Sequence, residues 1–413
     1  MRGMMMAAAA AAVLGFAAAA GAQETVRIGV LMPLSGNAAS AGQQSKAAIE
    51  LAAEIVNTAH PELGDLPLAK TAGLPNLKGA KIELVVADHQ GNPSVGQSQA
   101  LRLITQEHVI ALQGAYQSSV TFASTAVAER YGIPFVVGDS VAGNITGRGF
   151  KWIFRVTPVA KDFANNYMEF LNDLKKEGHD IKSIAIVYEN TDYGTSIAGS
   201  LREAAKAANL PIGADVSYNA NTADVSAQVL QLKEKKPDAI IFVSYTADTI
   251  LYMKTLKSLD YRPPVVIGDD SGFSDPAFIE NVGDIAQGAV NRSAWDAGKP
   301  GSPTYLINEM FKKKTGHEMD DTSARNMQAF FVLADAINRA GSTKPEAIQK
   351  ALQETDLKPA QLMMGYKGVK FDKTGQNELG ATYLIQLQGK AYKAVWPEKS
   401  ATAKLIFPFK GWQ

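Results

Sequence analysis

Apolar positions arrive along this chain in short runs separated by longer amphipathic stretches. The runs "VRIGVLM" (26–32), "KIELVVAD" (81–88), "HVIALQGA" (108–115) and "IPFVVGD" (133–139) read as strands buried on both faces. Between them, 39–57, 93–107 and 118–131 repeat their apolar residues at helical spacing. Strand, helix, strand repeated in this way predicts right-handed crossovers and a parallel sheet covered on both sides. A second series follows "FRVTP" (154–158), with helices predicted at 159–176, 193–208, 224–235 and 246–258 and strands at 183–188, 212–218, 238–243 and 264–268. The fold class is therefore α/β, two doubly wound Rossmann-like units in tandem. The remainder, from about 297 to 413, is too short for a third unit. Its helical segments (302–315, 324–340, 344–353) and closing strands ("GVKFDKTGQ", "GATYLIQLQGKAYKAVW") are expected to return and complete the first two. Several crossings between lobes would make a hinge.

The first stretch, "MRGMMMAAAAAAVLGFAAAAGAQ", changes the compartment. It has one cation at Arg2, an uncharged apolar run from Met4 to Ala20 and small residues at Ala20, Gly21 and Ala22. That is the layout of a cleavable secretory signal, cut after about Ala22. A membrane anchor is the weaker alternative, because the run is mostly alanine and shorter than the ~20 residues a spanning helix needs. The sequence holds no cysteine, which removes lipid attachment through a thiol, disulfides, thiol catalysis and thiolate metal sites. The expected mature protein is free and soluble after export, is not a lipoprotein, and is held together by core burial.

Charge excludes one partner class. Lys plus Arg is 41 and Asp plus Glu is 41, so loss of Arg2 leaves 40 against 41. A near-neutral chain without clustered cations has little to steer it to nucleic acid. Lys312, Lys313 and Lys314 read as the solvated end of a helix.

The candidate chemistry lies where the strands end. Ligands of open parallel sheets bind beyond the strand carboxyl ends, where helix starts expose unpaired N–H groups. In the first unit those ends carry "PLSGNAASAG" (33–42), "DHQGNP" (88–93), "GAYQSSVT" (114–121) and "GDSVAGNIT" (138–146). In the second they carry "YENTDYGTS" (188–196), "SYTAD" (244–248) and "GDDSGFSDP" (268–276). One such loop alone is explained by ordinary helix capping. Several facing loops point to a shared ligand. Tyr116, Gln117, Ser118, Ser119 and Thr121 are concentrated at one of these ends.

The ordered set "IGVLMPLSGNAASAGQQSKAAIELA", "VVADHQGNPSVGQSQALRLI", "GAYQSSVTFASTAVAERYGIPFVVGDS", "FRVTP", "YENTDYGTS" and "GFSDPAF" resembles the periplasmic solute-binding proteins of branched-chain amino acid ABC transporters, the leucine-binding type. The resemblance covers almost all of the mature chain. It implies a type I periplasmic binding protein fold, two Rossmann-like lobes joined by three crossovers, divided here as 23–156 plus about 297–355 and 157–296 plus about 356–413. It further implies a monomer that needs no cofactor or metal, closes on a small amino acid or carboxylate ligand and delivers it to a membrane permease. By motif, Ser118 falls on the position that holds the ligand carboxylate, and Tyr116 and Gln117 on the pocket wall. Asp139, Ser140 and Val141 fall on the stretch that meets the amino end. Tyr193 and Tyr245 match aromatic positions that close over the ligand, and Asp270, or Asp269 if the loop is offset by one, matches the acid that accepts from the ammonium.

Two departures bear on the ligand. Where the leucine-binding type commonly has an aromatic, this chain has Ala41 before Gly42, and Arg325, Asn326 and Met327 stand where another aromatic is usual. A pocket enlarged by loss of a ring suits a ligand bulkier than leucine, such as an aromatic carboxylate, with Arg325 as a candidate partner for a second polar group.

Enzyme readings have less to rest on. His60, His89, His108, His179 and His317 are scattered without metal-ligand spacing, and "GDSVAG" misses the nucleophile-elbow spacing of an esterase. His89 reads as a satisfied loop histidine. A secreted sensor presenting its closed state to a receptor is the alternative to a transport component, and the sequence fits both.

Overall fold

The computed structural model describes residues 25–269 and 271–412, so the leader predicted at 1–22 and Asp270 lie outside the described residues. The first half builds β1 (Thr25–Met32), α1 (Ala39–Asn57), β2 (Lys81–Asp88), α2 (Pro93–Thr105), β3 (Ala111–Gly114), α3 (Ser118–Tyr131), β4 (Phe135–Val137) and β5 (Ile153–Arg155). Their strands form one parallel sheet in the order β2-β1-β3-β4-β5. Alternate residues of β1 feed opposite cores, which is why its sequence runs without polar alternation from Ile28 to Met32. Val26, Ile28, Val30 and Met32 pack with α1, whereas Leu31 packs with Leu103, Ile104 and Val120 of α2 and α3. Each such side chain, fully buried, stabilises the fold by about 1.5–3 kcal/mol.

The second sheet is built from α4 (Ala160–Lys176), β6 (Ile184–Glu189), α5 (Asp192–Ala207), β7 (Ile212–Tyr218), α6 (Ser226–Lys235), β8 (Ala239–Val243), α7 (Thr246–Ser258), β9 (Val265–Gly268), α8 (Ser271–Ser274), α9 (Pro276–Val282) and β10 (Val290–Ser293). The chain then forms α10 (Pro303–Thr315), α11 (Asp321–Ala340) and α12 (Pro345–Gln353), then β11 (Asp356–Leu357), β12 (Val369–Lys370), β13 (Tyr383–Gln388) and β14 (Ala391–Trp396). The resulting seven-stranded order is β14-β13-β10-β9-β8-β6-β7, parallel except at β13, which runs antiparallel to both β10 and β14. α11 packs along α1 beside the first sheet and is buried on every side, Phe330, Phe331, Leu333 and Ile337 included. The chain thus passes between the sheets three times, after β5, after β10 and between α12 and β13.

Several expected boundaries shift. The strands read at 108–115 and 133–139 shorten to β3 and β4, because their flanks enter turns. Of "GVKFDKTGQ" only Val369–Lys370 is strand, paired with β11 apart from both main sheets. β10 was not foreseen, and α11 starts at Asp321, where Asp320 accepts from the Ser323 N–H at 2.8 Å as its cap.

The loop ends of the two sheets meet. Asn37 donates to Asn221 at 2.6 Å, the Gly143 N–H donates to Ser196 Oγ at 3.1 Å, and Ser40 Oγ donates to Asp275 Oδ1 at 2.7 Å. Asp275 also caps α9, its Oδ1 accepting from the Ala277 N–H at 2.9 Å while Oδ2 accepts from Thr246 Oγ1 at 2.9 Å.

Candidate functional site

On the first sheet's side the site starts from the turn between β3 and α3. Tyr116 has φ +79°, a backbone region that non-glycine residues rarely occupy, so neighbours must hold it there. They do: Ser140 Oγ donates to the Tyr116 carbonyl at 2.8 Å and lies 2.6 Å from Thr121 Oγ1, and Thr121 Oγ1 accepts from the Ala115 N–H at 3.0 Å. His89 completes the support. Its Nε2 donates to the Ala115 carbonyl at 2.7 Å and its Nδ1 accepts from the Gly91 N–H at 3.1 Å, which is the bonding of a neutral ring. Burial accordingly lowers its pKa to about 4. Ser140 is thus bound into the turn, which leaves the esterase reading of "GDSVAG" without a poised nucleophile. Ser118 is the first residue of α3, where helix N–H groups lack intrahelical partners. It is buried, and its Oγ accepts from the Ala142 N–H at 3.3 Å.

On the second sheet's side, the buried Glu189 carboxylate at the end of β6 folds the next turn around itself. It accepts from the Thr191 N–H at 2.7 Å, from Thr191 Oγ1 at 2.8 Å and from the Gly194 N–H at 2.7 Å, although desolvation still raises its pKa. Gly194 is required here: a Cβ would lie 1.9 Å from the Glu189 carbonyl oxygen. This turn presents Tyr193, whose hydroxyl donates to Asp269 Oδ2 at 2.9 Å. Tyr167 donates to the same carboxylate at 2.5 Å and Arg292 Nε approaches it at 3.2 Å, with the guanidinium 3.6 Å from the Phe163 ring centroid.

The two sides face one another. Tyr245 stands with its ring centroid 5.1 Å from that of Tyr193 and 5.7 Å from that of Tyr116. Tyr116, Ser118, Asp139, Ser140, Val141, Tyr193 and Tyr245 enclose a cavity of about 10 Å³, room for about one water molecule. The sequence thus anticipated a set of residues that the fold brings together from segments more than a hundred positions apart. Gln117 and Ser119 do not line this cavity, although both flank Ser118. Asp269 is fully buried beneath it, held by two tyrosines and an arginine.

The expected second polar contact takes a different form. Arg325 is buried with its Nη2 2.7 Å from Asp139 Oδ1 and its Nε 2.9 Å from Asp321 Oδ2, so its charge lies between two carboxylates behind the cavity wall. Ala41 is buried but is not part of that wall, and Gly42 answers to packing: a Cβ there would meet the Pro33 carbonyl oxygen at 2.0 Å. None of these positions lines the cavity between the tyrosines. The network of Tyr167 and Arg292 had no signal in the sequence, because its members lie on α4 and β10, far from any loop motif.

A profile described as periplasmic binding protein matches residues 25–391. The Leu/Ile/Val-binding protein homolog 8 of Brucella abortus (strain 2308) is 33% identical over 398 residues, covering 92% of this chain and 93% of the relative. Among solved structures, the branched-chain amino acid transporter substrate binding protein LivJ from Streptococcus pneumoniae, in complex with isoleucine, superposes with a TM-score of 0.76 at 20% identity over 93% of this chain and all of that one. A solute binding protein of an ABC transporter from Rhodopseudomonas palustris BisB5, in complex with 3,4-dihydroxy benzoic acid, superposes with a TM-score of 0.72 at 20% identity over 88% of this chain and 93% of that one.

Proposed function

This chain belongs to the periplasmic binding protein family, and we propose on that footing that it is the extracytoplasmic ligand-binding component of an ABC importer. It would capture a small amino acid or carboxylate between its two lobes, taken as 23–156 plus about 297–355 and 157–296 plus about 356–413, and hand it to a membrane permease. The ligand class is that of branched-chain amino acids or a bulkier aromatic relative, the two kinds of molecule carried by the structural neighbours.

The observation that supports this reading most is the convergence of Ser118 at the start of α3 with Tyr193 and Tyr245 from the other sheet. A carboxylate at a helix start, met by a serine hydroxyl, gains charge-assisted hydrogen bonds of roughly 1.5–3 kcal/mol each. Three tyrosine rings suit an apolar or aromatic ligand body. Because the rings now leave about 10 Å³ between them, admission of a ligand requires the lobes to part or the rings to swing. A ligand touching both sides shifts that equilibrium by its differential affinity for the closed form. No covalent step enters this mechanism.

Calorimetry on the purified mature protein, stripped of carried-over ligand by unfolding and refolding, tests it. Leucine, isoleucine, valine, phenylalanine and hydroxylated benzoates form the panel. Heat of binding from at least one of them at micromolar concentration is expected; silence from all of them would remove the proposal.

A further inference from the structure

Arg155, Arg292 and Arg325 are each only 1% exposed, and all of them stand behind the tyrosine cleft. Arg325 Nη2 meets Asp139 Oδ1 at 2.7 Å, and Arg292 Nε meets Asp269 Oδ1 at 3.2 Å. Those are the two described carboxylates that the resemblance offered to a ligand's ammonium. Asp139 faces the cleft already paired, and Asp269 lies beneath it with Tyr167 and Tyr193 as further donors. Arg155 differs, because among the described residues no carboxylate pairs with it. Its Nε donates to Gln376 Oε1 at 2.6 Å, its Nη2 to Thr146 Oγ1 at 2.8 Å, and its Nη1 to the carbonyls of Ser140 at 3.3 Å and Ala142 at 2.7 Å. Burial lowers its pKa only to about 9, so it stays a cation at pH 7.

The backbone carries the same bias. The stretch expected to meet an amino group has a protein donor on each of its carbonyls. Asp139 takes Arg325 Nη1 at 3.4 Å, Ser140 and Ala142 take Arg155, and Val141 takes the Ala160 N–H at 3.1 Å. Next to them, the Tyr116 carbonyl takes Ser140 Oγ at 2.8 Å. Donors, by contrast, are left over. No side chain caps α3, and its first internal bond runs from the Thr121 N–H to the Gln117 carbonyl. The N–H groups of Ser118, Ser119 and Val120 therefore have no acceptor within the helix. Ser118 Oγ accepts from the Ala142 N–H and keeps its own proton to give.

We infer that the cleft takes a carboxylate without an ammonium, a monoanion whose charge lies at the start of α3 and whose apolar or aromatic body lies among Tyr116, Tyr193 and Tyr245. This rests on the reading of the cleft as a solute-binding site and narrows it. An α-amino acid would carry its ammonium into a closed space whose described carboxylates are already matched, and an ammonium desolvated without an anionic partner is costly. The opposite charge is provided for. Helix-start N–H groups and a serine hydroxyl point to it, and the Arg155 cation stands one layer behind.

Two sets of ligands, each built on one side chain, test this by calorimetry on the mature protein. One set is leucine, 4-methylpentanoate and 3-methylbutylamine; the other is phenylalanine, 3-phenylpropionate and phenethylamine. In every set that gives heat, the anion is expected to bind about tenfold or more tightly than the zwitterion, and the amine is expected to stay silent. Ser118→Ala, shown by thermal melting to be folded, should weaken the anion by about tenfold. A zwitterion that binds as tightly as its anion overturns the inference and leaves the solute-binding reading standing; loss of that zwitterion in Asp270→Asn would then identify the acceptor of its ammonium. Anion affinity that is unchanged in Ser118→Ala overturns it too, since the heat would arise outside the cleft. Silence from all six ligands removes the inference together with the reading beneath it.

Discussion

The guanidinium of Arg325 stands 2.7 Å from the carboxylate of Asp139, joining the loop after β4 to a helix nearly two hundred residues later in the chain. Both side chains are almost fully buried, and Asp321 approaches the same guanidinium from the other side at 2.9 Å. The acidic position expected to greet an ammonium therefore already holds a cation. Asp139 shapes the cavity through its backbone and its ion pair, and a ligand reaching it meets a carboxylate whose field is largely cancelled.

Arg325→Met should destabilise the protein by about 3–5 kcal/mol, since removal of one partner leaves buried carboxylates uncompensated. Urea denaturation measures it. The double variant with Asp139→Asn should recover part of the loss; a single variant as stable as the parent would show that the pair is immaterial to folding.

Ser118→Ala should weaken ligand binding by roughly tenfold to a hundredfold, the scale of one charge-assisted hydrogen bond. Thermal stability should change little, because among the described residues the hydroxyl's one protein partner is the Ala142 N–H, at 3.3 Å. Unaltered affinity by calorimetry would take Ser118 out of the binding site.

Tyr245→Ala should widen the cleft and shift preference toward larger ligands. Tyr245 bridges the two sides, with ring centroids 5.7 Å and 5.1 Å from Tyr116 and Tyr193. A thermal-shift panel of aliphatic and aromatic ligands reads the change as a reordering; a uniform loss across the panel would mean that the ring contributes closure without selectivity.

His89 supplies a pH dependence of definite sign. With a folded pKa of about 4 against 6.5 unfolded, its neutral form stabilises the protein fully above pH 6.5, and this contribution is lost as pH falls toward 4. Protonation would turn Nδ1, which accepts from the Gly91 N–H, into a donor facing a donor. His89→Gln should therefore cost most stability near pH 7.5, and the difference from the parent should narrow on the way to pH 4.5. Denaturation midpoints that run parallel over that interval would refute the assignment.

Two glycines of α5 should respond in opposite directions. Gly194→Ala drives a Cβ to 1.9 Å from the Glu189 carbonyl oxygen and should lower both stability and ligand affinity by displacing Tyr193. At Gly199 an added Cβ meets nothing within 4 Å, so Gly199→Ala should gain about 0.5–1 kcal/mol from helix propensity. Melting temperatures that move together would contradict this reading of the helix start.

Where burial is two-sided and apolar, the sequence was transparent. β8 throughout, β6 up to Tyr188 and β1 from Ile28 to Met32 announce themselves as apolar runs because both faces of each sheet are covered. β10 is different: Asn291, Arg292 and Ser293 are buried, yet each is polar and bonded to a distant side chain, Ser274, Asp269 and Asp321 respectively. A strand stabilised by distant side chains leaves no periodic trace. The loops that carry Tyr116, Ser118, Tyr193 and Tyr245 were legible as strand ends and helix starts, whereas the choice of Ser118, Tyr193 and Tyr245 within them was implied by the resemblance. Arg325 was legible as a residue but not as a partner, since nothing along the chain says that its neighbour will be Asp139. Ala41 lies off the wall of the cleft cavity, whose lining rings are Tyr116, Tyr193 and Tyr245.

Asp275 has a mechanical consequence. One of its oxygens takes Ser40 from across the gap while also holding the Ala277 N–H, and the other keeps Thr246. If the halves swing apart, this carboxylate surrenders one donor, which water replaces, and retains two. No group is stranded at either end of the stroke. A fastening made from a helix cap can accordingly be undone and remade over many cycles, biasing the posture of the molecule without locking it.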